Sequence, residues 1–320
     1  MLRIDHILVP IDLHDNAEPV VAWAALMART FHSSLTLLHI NEIIEPLKRH
    51  SVAQSEPFLG KTADLEAWRD AYQQSVQSAF ARLTRQHCSD LSFTTEMIEG
   101  RASIKILDYL EAHPAQLVVM GTHGRPWYQR VVIGSTAETL LRASPCPTLI
   151  VRNTGDSGSL PRLTTLLCPT DFSESGKVSE EWGVQLAENK DVILLHAIEN
   201  PLLDIYDPDK AEIDIQRIME ESREHPPRSA QPFWDHAHRV AHAKLSALGQ
   251  QFRDVHAQVE LSIREGPAVE DILRTVERRS VDLVVMSTHG RSGVRRLLLG
   301  SVTEKILRLA PCPVLAVRSE

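Results

Sequence analysis

Short apolar runs alternate with longer amphipathic stretches along the chain, and the whole alternation occurs twice. The first run, HILVPID from His6 to Asp12, ends on an acidic loop, and LLCPTD from Leu166 to Asp171 does the same. A helix-like pattern follows each (Ala17 to Phe31; Ser175 to Glu188), then a second apolar strand, Leu35 to His39 or Val192 to His196. Longer polar helical regions surround Trp68 and Trp234. Short strands, Ser92 to Ile98 and Gln258 to Arg264, run into Gly100 and Gly266 and another helix. Each half closes with an apolar strand, a glycine-spaced loop, a helix and a last strand. Nearly continuous apolar strands that alternate with helices predict an α/β fold, its parallel sheet covered on both faces.

The duplication is explicit in the sequence. Residues 117–152 (LVVMGTHGRPWYQRVVIGSTAETLLRASPCPTLIVR) recur 166 positions later as 283–318 (LVVMSTHGRSGVRRLLLGSVTEKILRLAPCPVLAVR). A match at fixed offset over this length marks one folding unit copied, so each site argument has an internal control. The offset is 157 at His39/His196 and 166 at Trp68/Trp234, which places nine extra residues within the Pro- and charge-rich stretch Asn200 to Pro232. The expected organisation is a first domain at 1–152, a short flexible linker at 153–162 and a second domain at 163–320. So short a linker implies that the halves pack together.

At 320 residues, each half is large enough for its own core. Net charge is −8, and neither half is basic: Lys and Arg number 14 against 16 Asp and Glu in residues 1–152, and 20 against 26 in the remainder. A general electrostatic footprint for nucleic acid is therefore excluded. The start, MLRIDHILVPIDL, lacks the features of a signal peptide, and no apolar run approaches a membrane span, so a cytoplasmic location is expected. Cys88, Cys146, Cys168 and Cys312 show no CxxC spacing. Cys146 and Cys312, equivalent in the two copies, read as buried small hydrophobes.

The chemistry concentrates in the glycine loop. Gly121 and Gly124 are followed after nine residues by Gly134-Ser135-Thr136, which opens a helix. Glycine lets backbone approach a ligand closely, and the N–H groups of a helix start suit an anion. Ser135 and Thr136 can add hydroxyl donors or cap the helix. Asp12 faces the same crevice if the first and fourth strands are neighbours, because open parallel sheets bind ligands at their carboxyl ends. There it can meet ribose hydroxyls or a phosphate-bound Mg²⁺. The alternative is that the glycines only make tight turns; their repetition at the same spacing favours phosphate binding.

G-x2-G-x9-G-S/T after a fourth strand, an early V-P-x-D strand end and a closing P-C-P strand together resemble the universal stress protein family. The resemblance covers essentially the whole chain as two tandem domains. It implies two Rossmann-like domains, each a five-stranded parallel sheet with helices on both faces, and a cofactor, ATP or AMP or another adenine nucleotide. Carried over by position, it marks Pro10, Asp12, Ile40, Gly121, Gly124, Gly134, Ser135 and Thr136 as nucleotide-binding in the first copy. In the second copy it marks Pro169, Asp171, Ala197, Gly290, Gly300, Ser301 and Val302, with Asp12 and Asp171 the candidates for a nucleotide-bound Mg. The second copy departs from the pattern at Ser287, where the first glycine belongs, and at Val302, which lacks the Thr136 hydroxyl. If that glycine needs positive φ or no Cβ, the second site is the weaker one. The closing strands, expected at a sheet edge, are implied to pair the two halves of the chain, with a homodimer of such chains beyond that.

Other residues carry less. His123 and His289 read as loop-orienting rather than as catalytic bases, since no nucleophile accompanies them. Arg125, Arg130, Arg291 and Arg296 stand equally well as phosphate contacts or solvated charges. Trp127 and Tyr128 face Gly293 and Val294 across the repeat, which implies different lids. His238 and His242 have metal-ligand spacing, but HExxH is absent and the first copy has Tyr72 and Val76 there, so they read as ordinary histidines. Walker A and GxGxxG motifs are absent. The leading expectation is a nucleotide-binding sensor or regulator in a stress response, acting on an unidentified protein partner. It is not an efficient enzyme, and slow ATP hydrolysis is the most expected of it. A nucleotide-free scaffold and a slow ATPase or other nucleotide-using enzyme remain the alternatives.

Overall fold

A computed structural model of the chain describes residues 3–13, 17–42, 62–122, 133–152, 160–199, 231–289 and 299–318. The first repeat comprises β1 (His6–Pro10), α1 (Ala17–Phe31), β2 (Ser34–Asn41), α2 (Thr62–His87), β3 (Phe93–Glu99), α3 (Ala102–Ala112), β4 (Leu117–Gly121), α4 (Ser135–Ala143) and β5 (Thr148–Val151). The second comprises β6 (Thr165–Pro169), α5 (Glu174–Leu186), β7 (Asp191–Ile198), α6 (Gln231–Asp254), β8 (Gln258–Glu265), α7 (Ala268–Arg278), β9 (Leu283–Ser287), α8 (Ser301–Leu309) and β10 (Val314–Val317).

The chain divides into two compact units. The first holds β1 to β5 with their helices and also Leu307–Arg318, hence β10; the second holds β6 to β9 with α5 to α7 and Gly300–Ile306. In the first, β3, β2, β1, β4 and β5 lie side by side in that order, all parallel. Along the outer edge of β5, β10 pairs antiparallel, Val314 opposite Ile150 and Ala316 opposite Thr148. The edge expected at the closing strand is covered there. Arg318 Nη1 donates to the Arg142 carbonyl at 3.0 Å, and the Arg152 guanidinium donates to that of Arg308. In the second unit the parallel order is β8, β7, β6, β9.

The apolar runs become central strands because both faces are covered. Ile7, Leu8 and Val9 of β1 and Leu117, Val118 and Val119 of β4 are fully buried. Each such side chain contributes roughly 1.5–3 kcal/mol relative to exposure. The Ala-rich α1 lies close to the sheet, burying Val21, Ala24, Ala25 and Ala28. Strand β3, at the sheet edge, leaves Phe93 39% exposed. All four cysteines are buried and outside any disulfide, and burial pushes the Cys88 thiol up to about 11 and that of Cys168 to about 12.

Two boundaries differ from the sequence pattern for local reasons. β2 runs past His39 to Asn41, because Ile40 and Asn41 still pair with Ile98 and Glu99 of β3. α5 begins at Glu174 and ends at Leu186, two residues short of Glu188, and Asn189 beyond it adopts φ 55°. Gly100 and Gly266 turn the chain from β3 and β8 into the next helix at φ 139° and 126°, a conformation that disfavours any side chain. After each turn a glutamate from the neighbouring strand end caps the helix: Glu42 accepts from the Ala102 N–H at 2.6 Å and Glu199 from Ala268 at 2.8 Å.

Candidate functional site

In the first unit β1 lies between β2 and β4, with Pro10 beside Leu38 and Leu8 beside Val118. The carboxyl ends of these three strands therefore bring Pro10, Asp12, Ile40 and Gly121 to one edge of the sheet. The start of α4 joins them, because the Gly134 N–H donates to the Thr122 carbonyl just past β4 at 2.9 Å. Gly134 is the N-cap, and no side chain caps the helix. Its first-turn N–H groups, which lack intrahelical partners by geometry, are left to other acceptors. Ser135 is exposed, Thr136 half-buried and Asp12 exposed.

Gly121 is not at positive φ. A Cβ added there would lie 3.3 Å from Val20 Cγ2, so the close approach of α1 to β4, and not backbone strain, favours glycine.

Beneath this edge lies a pair that the sequence reading did not assign. His39, 4% exposed, binds the Ile11 carbonyl through Nδ1 at 3.0 Å and Tyr72 Oη through Nε2 at 2.8 Å. Burial raises the Tyr72 phenol above its ordinary range, and the charge of Asp12 adds to the effect. A histidine at the same strand end in both copies was the available signal; Tyr72 gave none, since its counterpart is His238.

The second unit repeats the backbone with other contents. β6 lies between β7 and β9, and Gly300 N–H donates to the Thr288 carbonyl at 2.7 Å. Pro169, Asp171, Ala197, Ser287, Gly300, Ser301 and Val302 take the corresponding places. A Cβ on Gly300 would meet the Thr288 oxygen at 3.1 Å, so close packing on the strand end favours glycine there. Ser287 is accommodated: its hydroxyl donates to the His289 carbonyl at 2.5 Å, and its own carbonyl accepts from Thr303 at 2.7 Å. The helix residue at the position of Val20 is here the smaller Ser179.

Asp171 folds onto its own turn, accepting from the Ser173 N–H at 3.0 Å, while the Ser173 hydroxyl caps α5 by accepting from Gly176 at 3.2 Å. Ser175 Oγ donates to the His289 carbonyl at 3.3 Å. Phe172, at φ 59°, sets its ring 4.4 Å from that of His196, which binds the Thr170 carbonyl through Nδ1 at 2.8 Å. Where the first copy has buried Val21, the second has Glu180. Burial raises this carboxyl, with the nearby charge of Asp171 adding to it, against a hydrogen bond from Thr170 Oγ1 at 2.7 Å.

Among the described residues no cluster of three metal-ligating side chains occurs. His238 pairs with Glu265 at 2.6 Å, and His242 Nδ1 lies 3.4 Å from Ser246 Oγ. His289 holds Thr288 Oγ1 through Nδ1 at 2.9 Å, in keeping with an orienting part. Gly124, Gly290, His123, Arg125, Trp127, Tyr128, Arg130, Arg291, Gly293, Val294 and Arg296 lie outside the described residues, as do residues 200–230, which hold most of the Pro- and charge-rich stretch. No helix among the described residues is long and apolar enough to cross a membrane.

A strand-end crevice with a glycine-opened helix, built twice in one chain, defines a tandem Rossmann-like α/β protein. The model of the universal stress protein family matches residues 3–152 and again 163–318, so the chain belongs to that family. It is 26% identical to a universal stress protein of Mycolicibacterium smegmatis over 98% of this chain and 96% of that one. Universal stress protein Rv2623 of Mycobacterium tuberculosis is 24% identical, again over 98% and 96%. The crystal structure of a universal stress protein from Archaeoglobus fulgidus has the same fold, with a TM-score of 0.64 and 17% identity over 99% of both chains.

Proposed function

We propose that the chain binds ATP or a related adenine nucleotide at the strand-end crevice of the first unit, and works as a nucleotide-dependent regulator in a stress response. The observation that carries this is the start of α4: an N-terminus without a side-chain cap, pinned by Gly134 to the end of β4, on the sheet edge that carries Asp12 and Ile40. The backbone N–H groups of Ser135 and Thr136 and their hydroxyls would take the phosphates, Ile40 would border the base, and Asp12 would take ribose hydroxyls or a phosphate-bound Mg. The second site, with Ser287 in place of Gly121 and Val302 in place of Thr136, is the weaker binder.

Regulation follows only if nucleotide binds two states of the protein unequally. The surface that changes would face another protein or a second copy of the chain in the cytoplasm. Slow hydrolysis of ATP is the most turnover that this reading expects. The test is the nucleotide content of freshly purified protein after acid extraction and chromatography, followed by titration with ATP. Adenine nucleotide in the extract, or saturable ATP binding, supports the reading; neither, up to millimolar ATP, leaves a nucleotide-free scaffold.

A further inference from the structure

The hydrogen-bond chain from Ile11 to Tyr72 has only one consistent polarity for a neutral imidazole. A carbonyl accepts and cannot donate, so His39 Nδ1 carries the proton toward the Ile11 oxygen, 3.0 Å away. Nε2 is then bare, and the Tyr72 hydroxyl donates its hydrogen to it at 2.8 Å. With its proton committed, Tyr72 Oη acts toward any further group as an acceptor. The Asp12 carboxylate, one residue beyond the carbonyl that anchors this chain, also only accepts. Tyr72 is brought here by α2, His39 lies on β2, and Ile11 directly follows the neighbouring β1.

We propose that Tyr72, oriented by His39, forms with Asp12 an all-acceptor pair that reads the ribose hydroxyls of the bound nucleotide, a sugar-specificity determinant particular to the first unit. The inference rests on the nucleotide reading above. It explains a division of labour at the sheet edge: the start of α4 offers donors, fit for phosphate, while the Tyr72–Asp12 end offers acceptors, unfit for phosphate and fit for hydroxyls. The second unit lacks the pair. The position of Tyr72 is held there by His238, which pairs with Glu265 at 2.6 Å.

The experiment titrates ATP and 2′,3′-dideoxy-ATP into the wild-type chain and into Tyr72→Phe, whose fold is checked by circular dichroism. The wild type is expected to prefer ATP by about tenfold, the worth of a hydrogen bond or two. Tyr72→Phe loses roughly threefold toward ATP and little toward the dideoxy form, so the gap between the ligands narrows to what Asp12 still reads. The ratio between ligands separates sugar reading from a general loosening, because loosening weakens both alike. Equal losses for both ligands, unchanged ATP affinity, or a wild type that binds both equally overturns the inference and leaves nucleotide binding standing. A wild type that binds neither fells the nucleotide reading and this one with it.

Discussion

The two units place one backbone frame under different chemistry. In both, a strand ends in Pro-x-Asp, a histidine grips the carbonyl before that Asp, and a glycine N–H ties a helix start to the fourth strand. In the first unit the frame carries an exposed Asp12, a phenol that feels its charge, and buried apolar Ile11 and Val21. In the second, Thr170 and Glu180 stand where Ile11 and Val21 were, and His238 stands where the phenol was. Hydrogen bonds between backbone groups keep the frame in either case. The side chains that would meet a ligand have diverged without disturbing it.

The sharpest way to break this comparison is at the helix starts. Asp is a favoured N-cap, and Gly134→Asp, its fold checked by circular dichroism, places a carboxylate where phosphate would bind. ATP affinity is expected to fall more than about 100-fold, given that charge-assisted contacts of roughly 1.5–3 kcal/mol are lost and repulsion is added. Gly300→Asp, measured beside it, should remove little of the bound nucleotide. If the two substitutions cost binding equally, the units are equivalent sites and the contrast drawn between them fails.

A second test concerns packing in the second unit. A Cβ at Gly183 would lie 2.9 Å from Cys168 Sγ and 3.1 Å from Phe252 Cζ, both deeply buried, whereas the matching residue of α1 is already Ala24. Gly183→Ala is expected to destabilise the chain by about 1–3 kcal/mol through overpacking. Urea unfolding reads it directly, and an unchanged midpoint would show that α5 can retreat from β6.

Much of the frame was legible because it is written in short-range patterns. Apolar runs gave the strands, and Gly134-Ser135-Thr136 marked a helix start. The placing of Asp12 hung on strand one lying beside strand four, and Ile7 beside Leu117 meets that condition. What stayed hidden depends on side chains distant in sequence. Tyr72 meets His39 across 33 residues, and nothing in a polar helix advertises which tyrosine turns inward. Which of two reasons keeps Gly121 was also out of reach: the sequence left positive φ and a missing Cβ open, and Val20, far away in the chain, decides for the second.

That difference makes Ser287→Gly informative. Since Gly121 has no positive φ, restoring glycine in the second copy supplies no conformation that serine forbids. It removes the hydroxyl bond to His289 and adds backbone freedom, at a cost of roughly 1–2 kcal/mol by thermal melting. ATP binding at the second unit should not improve. A gain there would show that Ser287 alone disables the site.

The smallest expected effect lies at Glu180, and its sign distinguishes the units. Its carboxyl is raised in the folded protein, mainly by burial, so the fold holds this proton more tightly than the unfolded chain does. The group's favourable contribution is full below the unfolded pKa and is lost as pH rises through the folded one, leaving a buried charge at neutral pH. Glu180→Gln keeps an oxygen for Thr170 Oγ1 and removes that charge. The variant should melt above the wild type at about pH 7.5, with the gap closing toward about pH 4, where the glutamate is itself protonated. The first unit offers the control, because Val21 holds the same place and has no proton to lose. A gap that instead widens on acidification would mean that the carboxylate is stabilised by the fold, and Glu180 would then be a partner to Thr170 rather than a polar intrusion that the second unit tolerates.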